Sequence, residues 1–252
     1  MKINTIIHGD CLEVMKDIED KSIDMILCDL PYGTTACKWD TIIPFEPLWE
    51  QYERIIKDGC AIVLFGSEPF STYLRMSNIK NYKYDWKWNK VNAGCFVTAK
   101  YRPMSIFEDI CVFSKNGGKI KYYPIMTVAE EKNKRPRNKG QIRNNDSSQS
   151  ISSGIFKSSE NHNENLRFPK NELVYNNRKK ELNGLNRIHP TQKPVDLCEY
   201  LIKTYTNEND IVLDNCARSG TTGVACQNLK RNFILIEKEA KYCEVIKERI
   251  KI

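Results

Sequence analysis

The sequence Asp29-Leu30-Pro31-Tyr32 directly follows the apolar run 23–28. A short apolar run that ends near a proline predicts a buried strand and then a turn, because proline cannot donate a ladder hydrogen bond. Asp29 is therefore expected at the carboxyl end of a strand, where open α/β sheets bind ligands. A flat heterocycle fits such a stretch, since it can stack on the tyrosine while its amino group donates to oxygen acceptors. The four residues alone also fit a structural turn with an interfacial tyrosine.

Strands and helices alternate on both sides of this stretch. The strand-like runs are 3–8, 23–28, 61–65, 211–213 and 233–236, and the helical patterns are 12–18, 46–56, the segment from Pro194, and the segment ending at Leu229. This alternation predicts βαβ units and a mostly parallel sheet. Residues 84–88 and 106–113 predict two further strands, which would form an antiparallel edge. The expected fold class is a doubly wound α/β sheet.

The composition excludes several classes of protein. None of the 252 residues belongs to an apolar run near the roughly 20 residues that span a bilayer, and the first residues do not resemble a signal peptide. We therefore expect a soluble, cytoplasmic protein. The ten cysteines are scattered and the three histidines lie far apart, which indicates neither a disulfide framework nor a zinc site. No metal is expected.

The positive charge is concentrated in one segment. Residues 115–187 carry 16 Lys+Arg and 7 Asp+Glu, a charge of +9, whereas the remainder carries 23 and 25, a charge of −2. This distribution predicts a polyanion-binding insert on a near-neutral core, although a solvated basic loop is an equally good interpretation of charge alone. The densest candidate cluster is Lys132, Lys134, Arg135, Arg137 and Lys139.

A second ligand-binding pattern lies near the carboxyl terminus. Residues 214–223, Asp-Asn-Cys-Ala-Arg-Ser-Gly-Thr-Thr-Gly, follow one predicted strand, and Glu237 ends the next strand 23 residues after Asp214. A strand, a Gly-rich turn, a helix and an acid at the next strand end is the arrangement by which α/β folds hold a nucleoside. A structural turn with an unrelated acid is the alternative.

Together these stretches resemble the amino-methyltransferases of DNA, in the permuted (beta) class that places the target-base motif before the cofactor motif. Asp29-Leu30-Pro31-Tyr32 resembles their D-P-P-Y signature, and residues 214–223 resemble their D-x-F-x-G-S-G-T-T-G loop. His189-Pro190-Thr191-Gln192-Lys193-Pro194 is similar to the segment before their cofactor strand, and Gly9-Asp10-Cys11 to their acidic turn. The overall pattern is most similar to small phage or prophage adenine methyltransferases.

The resemblance implies the following organisation and roles. Residues 1–114 would form the catalytic half of a seven-stranded core, residues 115–187 a partly flexible target-recognition insert, and residues 188–252 the cofactor-binding half. The methyl donor would be S-adenosylmethionine and the substrate a base flipped out of duplex DNA. Asp29 and the Leu30 carbonyl would accept hydrogen bonds from the target amine, Pro31 would hold the turn, and Tyr32 would stack on the base. An Asp in the first position of the motif favours adenine. The implied donor-binding residues are Asp10, Cys11, Thr191, Lys193, Asp214, Ser219, Gly220, Thr221 and Glu237.

Two positions depart from the family pattern. Arg218 replaces the first Gly of the cofactor loop, and Leu235 replaces a residue that is often Gly. Arg218 could turn to solvent, or it could block the pocket. The second outcome would leave a DNA-binding protein with an impaired methyltransferase core, and methylation of RNA or of a protein amide is a further alternative. Sequence alone leaves open a homodimer, a restriction endonuclease partner and the recognition sequence.

Overall fold

The computed structural model describes residues 2–34, 40–94, 96, 99–128, 166–177 and 192–251. The chain divides into two units, residues 124–169 and the rest. In the larger unit the strands are β1 (Thr5–His8), β2 (Ile23–Cys28), β3 (Ile56–Gly66), β4 (Tyr82–Gly94), β5 (Ser105–Ser114), β8 (Glu172–Val174), β9 (Ile211–Asp214) and β10 (Asn232–Glu237). Its helices are α1 (Cys11–Val14), α2 (Phe45–Ile55), α3 (Phe70–Ser77), α4 (Val195–Tyr205), α5 (Thr221–Asn228) and α6 (Ala240–Ile250). The smaller unit contributes a two-stranded ladder of β6 (Thr127–Val128) and β7 (Leu166–Arg167).

The larger unit is built on one sheet with the strand order β1-β10-β9-β2-β3-β5-β4-β8. Neighbouring strands are parallel except where β5 runs antiparallel between β3 and β4. The predicted α/β class and its antiparallel pair are therefore confirmed. The sheet has eight strands rather than the predicted seven, because β8 pairs with the outer edge of β4.

Each face of the central strands is covered by a layer of helices, and successive side chains of a strand contact opposite layers. Met25 and Leu27 of β2 pack in the cluster that includes α4, α5 and α6, whereas Ile26 and Cys28 pack in the cluster that includes α1, α2 and α3. Side chains of a strand point to opposite faces in turn, so a strand covered on both faces reads as a continuous apolar run. All six residues of β2 are buried, as this requires.

The helices change from one face of the sheet to the other next to β2. The helix after β9 packs on one face, and the helices that precede and follow β3 pack on the other. In doubly wound sheets such a change of face opens a crevice at the carboxyl ends of the strands, and ligands bind there. The fold therefore places the residues after β2 and β9 at its ligand-binding edge.

Parts of the predicted basic insert belong to this larger unit. The described residues 115–123 and 170–177 lie in it, and β8 joins the sheet. The division into three segments at 114 and 187 stays a prediction. In the described part of the chain, no helix has the length and apolar character needed to cross a membrane.

Candidate active site

Four carboxylates follow or end neighbouring strands at the same edge of the sheet. Asp10 and Asp29 come just after β1 and β2, while Asp214 and Glu237 are the last residues of β9 and β10. A cavity of ≈ 270 Å³ opens at this edge, and Asp10, Glu237 and Arg218 are among its lining residues. Its volume is near the lower end of the roughly 300–1,000 Å³ found for small-molecule sites. The four sequence-predicted acids thus line two adjoining cavities: Asp10 and Glu237 line this one, and Asp29 and Asp214 line a second.

Glu237 is held in place by main-chain donors. Its Oε2 accepts from the main-chain N–H of Arg218 at 2.7 Å, and its Oε1 accepts from that of Glu239 at 2.8 Å. Asp10 caps α1 through a 3.0 Å bond to the N–H of Leu12. Both carboxylates are therefore fixed at the cavity by local backbone. Cys11, also predicted at this site, lines the cavity and is mostly buried.

The loop after β9 is braced by Asp214. Its Oδ2 accepts from the Thr222 hydroxyl at 2.6 Å and its Oδ1 from the Cys216 N–H at 3.1 Å. Burial raises the pKa of Asp214 to about 6, against the opposing effect of these donors. Gly220 has φ +74°, and a Cβ there would lie 2.7 Å from Ile246, so a glycine is required where the loop packs on α6.

A second, smaller cavity of ≈ 30 Å³ lies beside the first. Asp29, Lys193, Ser219, Thr221 and Asp214 are among its lining residues. Gly220 lines neither of these two cavities. Of the predicted donor-binding residues, Asp10, Cys11 and Glu237 thus surround one cavity, and Lys193, Asp214, Ser219 and Thr221 surround the other. Their roles toward a donor stay predictions.

Asp29 is the centre of an ionic cluster at the second cavity. Its Oδ1 accepts from the Tyr32 hydroxyl at 2.7 Å and lies 2.9 Å from Lys193 Nζ, while its Oδ2 lies 2.7 Å from Arg218 Nη1. Burial alone would raise the pKa of Asp29, but the charges of Arg218 and Lys193 and the Tyr32 hydrogen bond lower it overall. The carboxylate is therefore ionised and a strong acceptor.

Lys193 connects Asp29 to a second, partly buried acid and to three aromatic rings. Its Nζ lies 3.0 Å from Glu108 Oε2 and 5.1 Å from the centre of the Phe65 ring, with Tyr32 and Trp88 both at 5.6 Å. Burial opposes the charge, but Asp29 and Glu108 raise the pKa of Lys193. The sequence predicted Lys193 beside the donor, and the structure places its ammonium group against Asp29 and Tyr32.

The rest of the Asp29-Leu30-Pro31-Tyr32 motif is tightly supported. Tyr32 stacks on Phe70 with ring centres 5.0 Å apart and planes at 27°. The chain beyond it is fixed by Asp40, which accepts from the N–H groups of Gly33 and Thr34 at 2.9 and 3.0 Å. The Leu30 side chain is buried in the core, and its carbonyl faces Arg218. Pro31 lines the larger cavity.

The two departures from the family pattern have different outcomes. Leu235 is fully buried in the core, where its Cδ1 packs beneath Gly223. It therefore does not obstruct the site. Arg218 has φ +47°, and its side chain points inward to Asp29 rather than out to solvent. Its Nη2 also donates to the Leu30 carbonyl at 3.3 Å.

Residues 23–248 match the family described as DNA methylase (N6_N4_Mtase). The chain belongs to this family. Type II methyltransferase M.HpaI of Haemophilus parainfluenzae is 28% identical over 97% of this chain and 73% of its own length. DNA adenine methyltransferase YhdJ of Escherichia coli (strain K12) is 27% identical over 98% of this chain and 83% of its own length. The crystal structure of the M1.HpyAVI–SAM complex is 27% identical, covers 98% of this chain and 99% of its own, and has a TM-score of 0.63. The phage-like origin stays a prediction.

Thr191 and the basic cluster at residues 132–139 lie outside the described residues. In the described part of the chain, no group of three or more His, Cys, Asp or Glu is placed to hold a metal ion.

Sequence reasoning missed several residues of the methylase site. Glu108 and Trp88 lie on predicted strands, but nothing local marks them as neighbours of Lys193. Phe65 ends a predicted strand at the ligand-binding edge, and that position is the signal that could have identified it. Phe70 opens α3, which was not predicted.

Proposed function

We propose that this protein transfers a methyl group from S-adenosylmethionine to the exocyclic amino nitrogen of adenine in duplex DNA. The observation that carries the proposal is the ionised carboxylate of Asp29, held at the edge of the sheet beside a carbonyl acceptor, where it lines the smaller of the two cavities. Adenine rather than cytosine is favoured by the Asp at the start of the motif, and the adenine specificity in the name of one relative supports it. We propose that it works in the cytoplasm, where DNA and the donor are available.

The residues around the larger cavity suit the nucleoside part of the donor. Glu237 offers a carboxylate to the ribose hydroxyls, and Asp10, which follows the neighbouring strand β1, lines the same cavity and is assigned to the adenine end. The remaining part of the donor would extend toward the second cavity, where Lys193, Ser219 and Thr221 offer an ammonium group and two hydroxyls. S-adenosylmethionine would supply a methyl group on a sulfonium sulfur, which is activated for displacement because it leaves as a neutral thioether when the methyl carbon–sulfur bond breaks.

Asp29 and Leu30 prepare the nucleophile. The carboxylate Oδ2 and the Leu30 carbonyl accept the two N–H bonds of the target amine, which localises the nitrogen lone pair for attack on the methyl carbon. After the new C–N bond forms, the nitrogen carries an excess proton, and Asp29 Oδ2 is placed to accept it. A methylated aryl ammonium is a strong acid, so even a carboxylate of lowered pKa can take this proton. Tyr32 offers a ring on which the flipped base can stack.

A labelled-donor assay tests the proposal. The protein is incubated with S-adenosylmethionine carrying a labelled methyl group and with duplex DNA, duplex RNA of the same sequence, or mixed proteins as alternative substrates. We expect label in the duplex DNA alone. Label in RNA or protein would assign the site to a different planar amine. If DNA binds but no substrate is labelled, the impaired-core alternative replaces the proposal.

We expect DNA affinity to depend steeply on salt because the basic segment contacts phosphates. Neutralising the predicted cluster to glutamine should flatten the slope of log affinity against log salt by roughly 1 per lost contact. The cluster is Lys132, Lys134, Arg135, Arg137 and Lys139. Fluorescence anisotropy of a labelled duplex over a salt series measures the slope.

The matched control removes the same number of charges at the amino ends of the strands, the edge of the sheet opposite the two cavities. Five exposed lysines outside the basic segment lie there or beside it: Lys2, Lys21, Lys80, Lys83 and Lys230. Their replacement by glutamine should leave the slope nearly unchanged. Equal slopes for the two variants would mean that the basic segment is only solvated surface.

A further inference from the structure

The two oxygens assigned to the target amine already hold a hydrogen-bonding partner. Arg218 Nη1 lies 2.7 Å from Asp29 Oδ2, and Arg218 Nη2 donates to the Leu30 carbonyl at 3.3 Å. A guanidinium group is planar and presents N–H bonds in a fixed fork, as an exocyclic amine on a flat heterocycle presents its own. The Arg218 side chain thus presents its hydrogen-bond donors in the same geometry as the amino group of the proposed substrate.

The two carboxylate oxygens of Asp29 are engaged by different groups. Oδ1 is bound by the Tyr32 hydroxyl and by Lys193, whereas the contact described above brings Arg218 to Oδ2. If the guanidinium leaves, Asp29 therefore keeps a cation and a hydroxyl on Oδ1. The orientation of the carboxylate does not depend on Arg218 alone, so an amine can replace the guanidinium without loss of the acceptor.

The position of Arg218 makes this exchange relevant to both ligands. Arg218 lines the larger cavity and also the second one. Its main-chain N–H is anchored separately, on Glu237 Oε2 at 2.7 Å. The side chain can therefore move while the loop remains attached to the donor side of the site.

Charge balance favours the same exchange. The side chains of Asp29, Glu108, Lys90, Lys193 and Arg218 form a connected ionic group with a net charge of +1. Withdrawal of the guanidinium leaves that group neutral. A neutral group is the better neighbour for a sulfonium cation, because like charges at short range in a partly dry site repel.

We propose that the Arg218 side chain is an internal substitute for the target amine. It occupies the acceptors on Asp29 and Leu30 in the free enzyme, and the flipped base displaces it on entering the site. This inference rests on the proposed function. Arg218 is then a positioning residue that determines how strongly a base must compete for Asp29. Binding of the base and binding of the methyl donor are coupled, since each ligand binds better when the Arg218 side chain has moved away from Asp29.

Three variants distinguish the effects of the size and charge of the Arg218 side chain from a general disturbance of the loop. Arg218→Gly removes the side chain and also relieves the left-handed backbone conformation. Arg218→Met keeps most of the bulk of the side chain but removes its charge and its hydrogen-bond donors. Arg249→Met is the control, because Arg249 contacts the Ser219 carbonyl and the Thr221 hydroxyl of the same loop.

The measurements are steady-state methylation and donor calorimetry. For Arg218→Gly we expect the KM for DNA to fall about tenfold and donor binding without DNA to tighten about tenfold, with Arg218→Met showing the same direction. In the unsubstituted protein, duplex DNA should tighten donor binding, and this coupling should shrink in both Arg218 variants. Arg249→Met should leave the coupling in place.

Several outcomes would overturn the inference. An unchanged KM and unchanged donor affinity in Arg218→Gly would show that the guanidinium does not compete with either ligand. A loss of activity in Arg218→Gly and Arg218→Met, at normal stability, would mean that Arg218 is needed in the productive state. If no substrate is methylated by any variant, the proposed function fails, and donor calorimetry alone then decides whether Arg218 obstructs the cavity.

Discussion

Asp29→Ala is expected to lower the rate of methyl transfer by at least about 10²–10³-fold, the range found when one preorganised electrostatic partner of a reacting group is removed. The reason is that the amine loses the acceptor that localises its lone pair and takes its proton. Asp29→Asn keeps an oxygen of the same reach and should retain more activity than Asp29→Ala. Initial rates at saturating donor and DNA measure both effects.

A control on the same strand separates chemistry from folding. Asp24 is also buried on β2, but it pairs with Lys57 at 2.7 and 2.8 Å and accepts from the Ile211 N–H, away from both cavities. Asp24→Asn should lower the thermal midpoint and retain methyl transfer below that temperature. Equal losses of activity in the two variants at matched stability, or full activity in Asp29→Ala, would contradict the assignment.

Lys193→Met is expected to destabilise the protein and to move the acid limb of the activity profile. Removing one member of a buried ion pair commonly costs 3–5 kcal/mol, and we expect about 3 kcal/mol here because Arg218 still pairs with Asp29 and Lys90 with Glu108. Urea unfolding at neutral pH measures the loss. Lys193→Arg, which keeps the charge, is the variant that should recover part of it.

The pH effect follows from the lowered pKa of Asp29. A carboxyl group whose folded-state pKa is depressed contributes stability above its unfolded pKa and loses it as the pH falls through the folded value. Without Lys193 the burial that opposes ionisation is less well compensated, so the pKa of Asp29 rises. The acid limb of kcat should therefore shift to higher pH in Lys193→Met and much less in Lys193→Arg. A purely structural lysine would lower stability and leave this limb in place.

Local patterns predicted the fold where a segment is mostly apolar. The strand 23–28 has the predicted bounds. A strand that is covered on both faces is read as one nearly continuous apolar run, so its ends are visible in the sequence. Helix α3 was missed because only Phe70 and Leu74 give it a buried stripe, while Tyr73 and Met76 are exposed. The eighth strand lies in a basic segment and is only three residues long. Its place depends on the edge of β4 and not on its own composition.

The site was predictable to the extent that it lies at strand ends. Asp10, Asp29, Asp214 and Glu237 follow from the rule that ligands bind at the carboxyl edge of a parallel sheet. The contact of Lys193 with Glu108 joins strand β5 to the segment before α4, and no sequence pattern encodes such a pair. The direction of the Arg218 side chain likewise depends on which acceptors lie across the loop.

Nucleoside mass spectrometry tests the central claim most directly. Genomic DNA is taken from methylation-free cells that express either the unsubstituted protein or Asp29→Ala, and it is digested to nucleosides. The account predicts N6-methyl-2′-deoxyadenosine in the first sample and none above background in the second. N4-methyl-2′-deoxycytidine in its place, or equal N6-methyladenine in both samples, would contradict it.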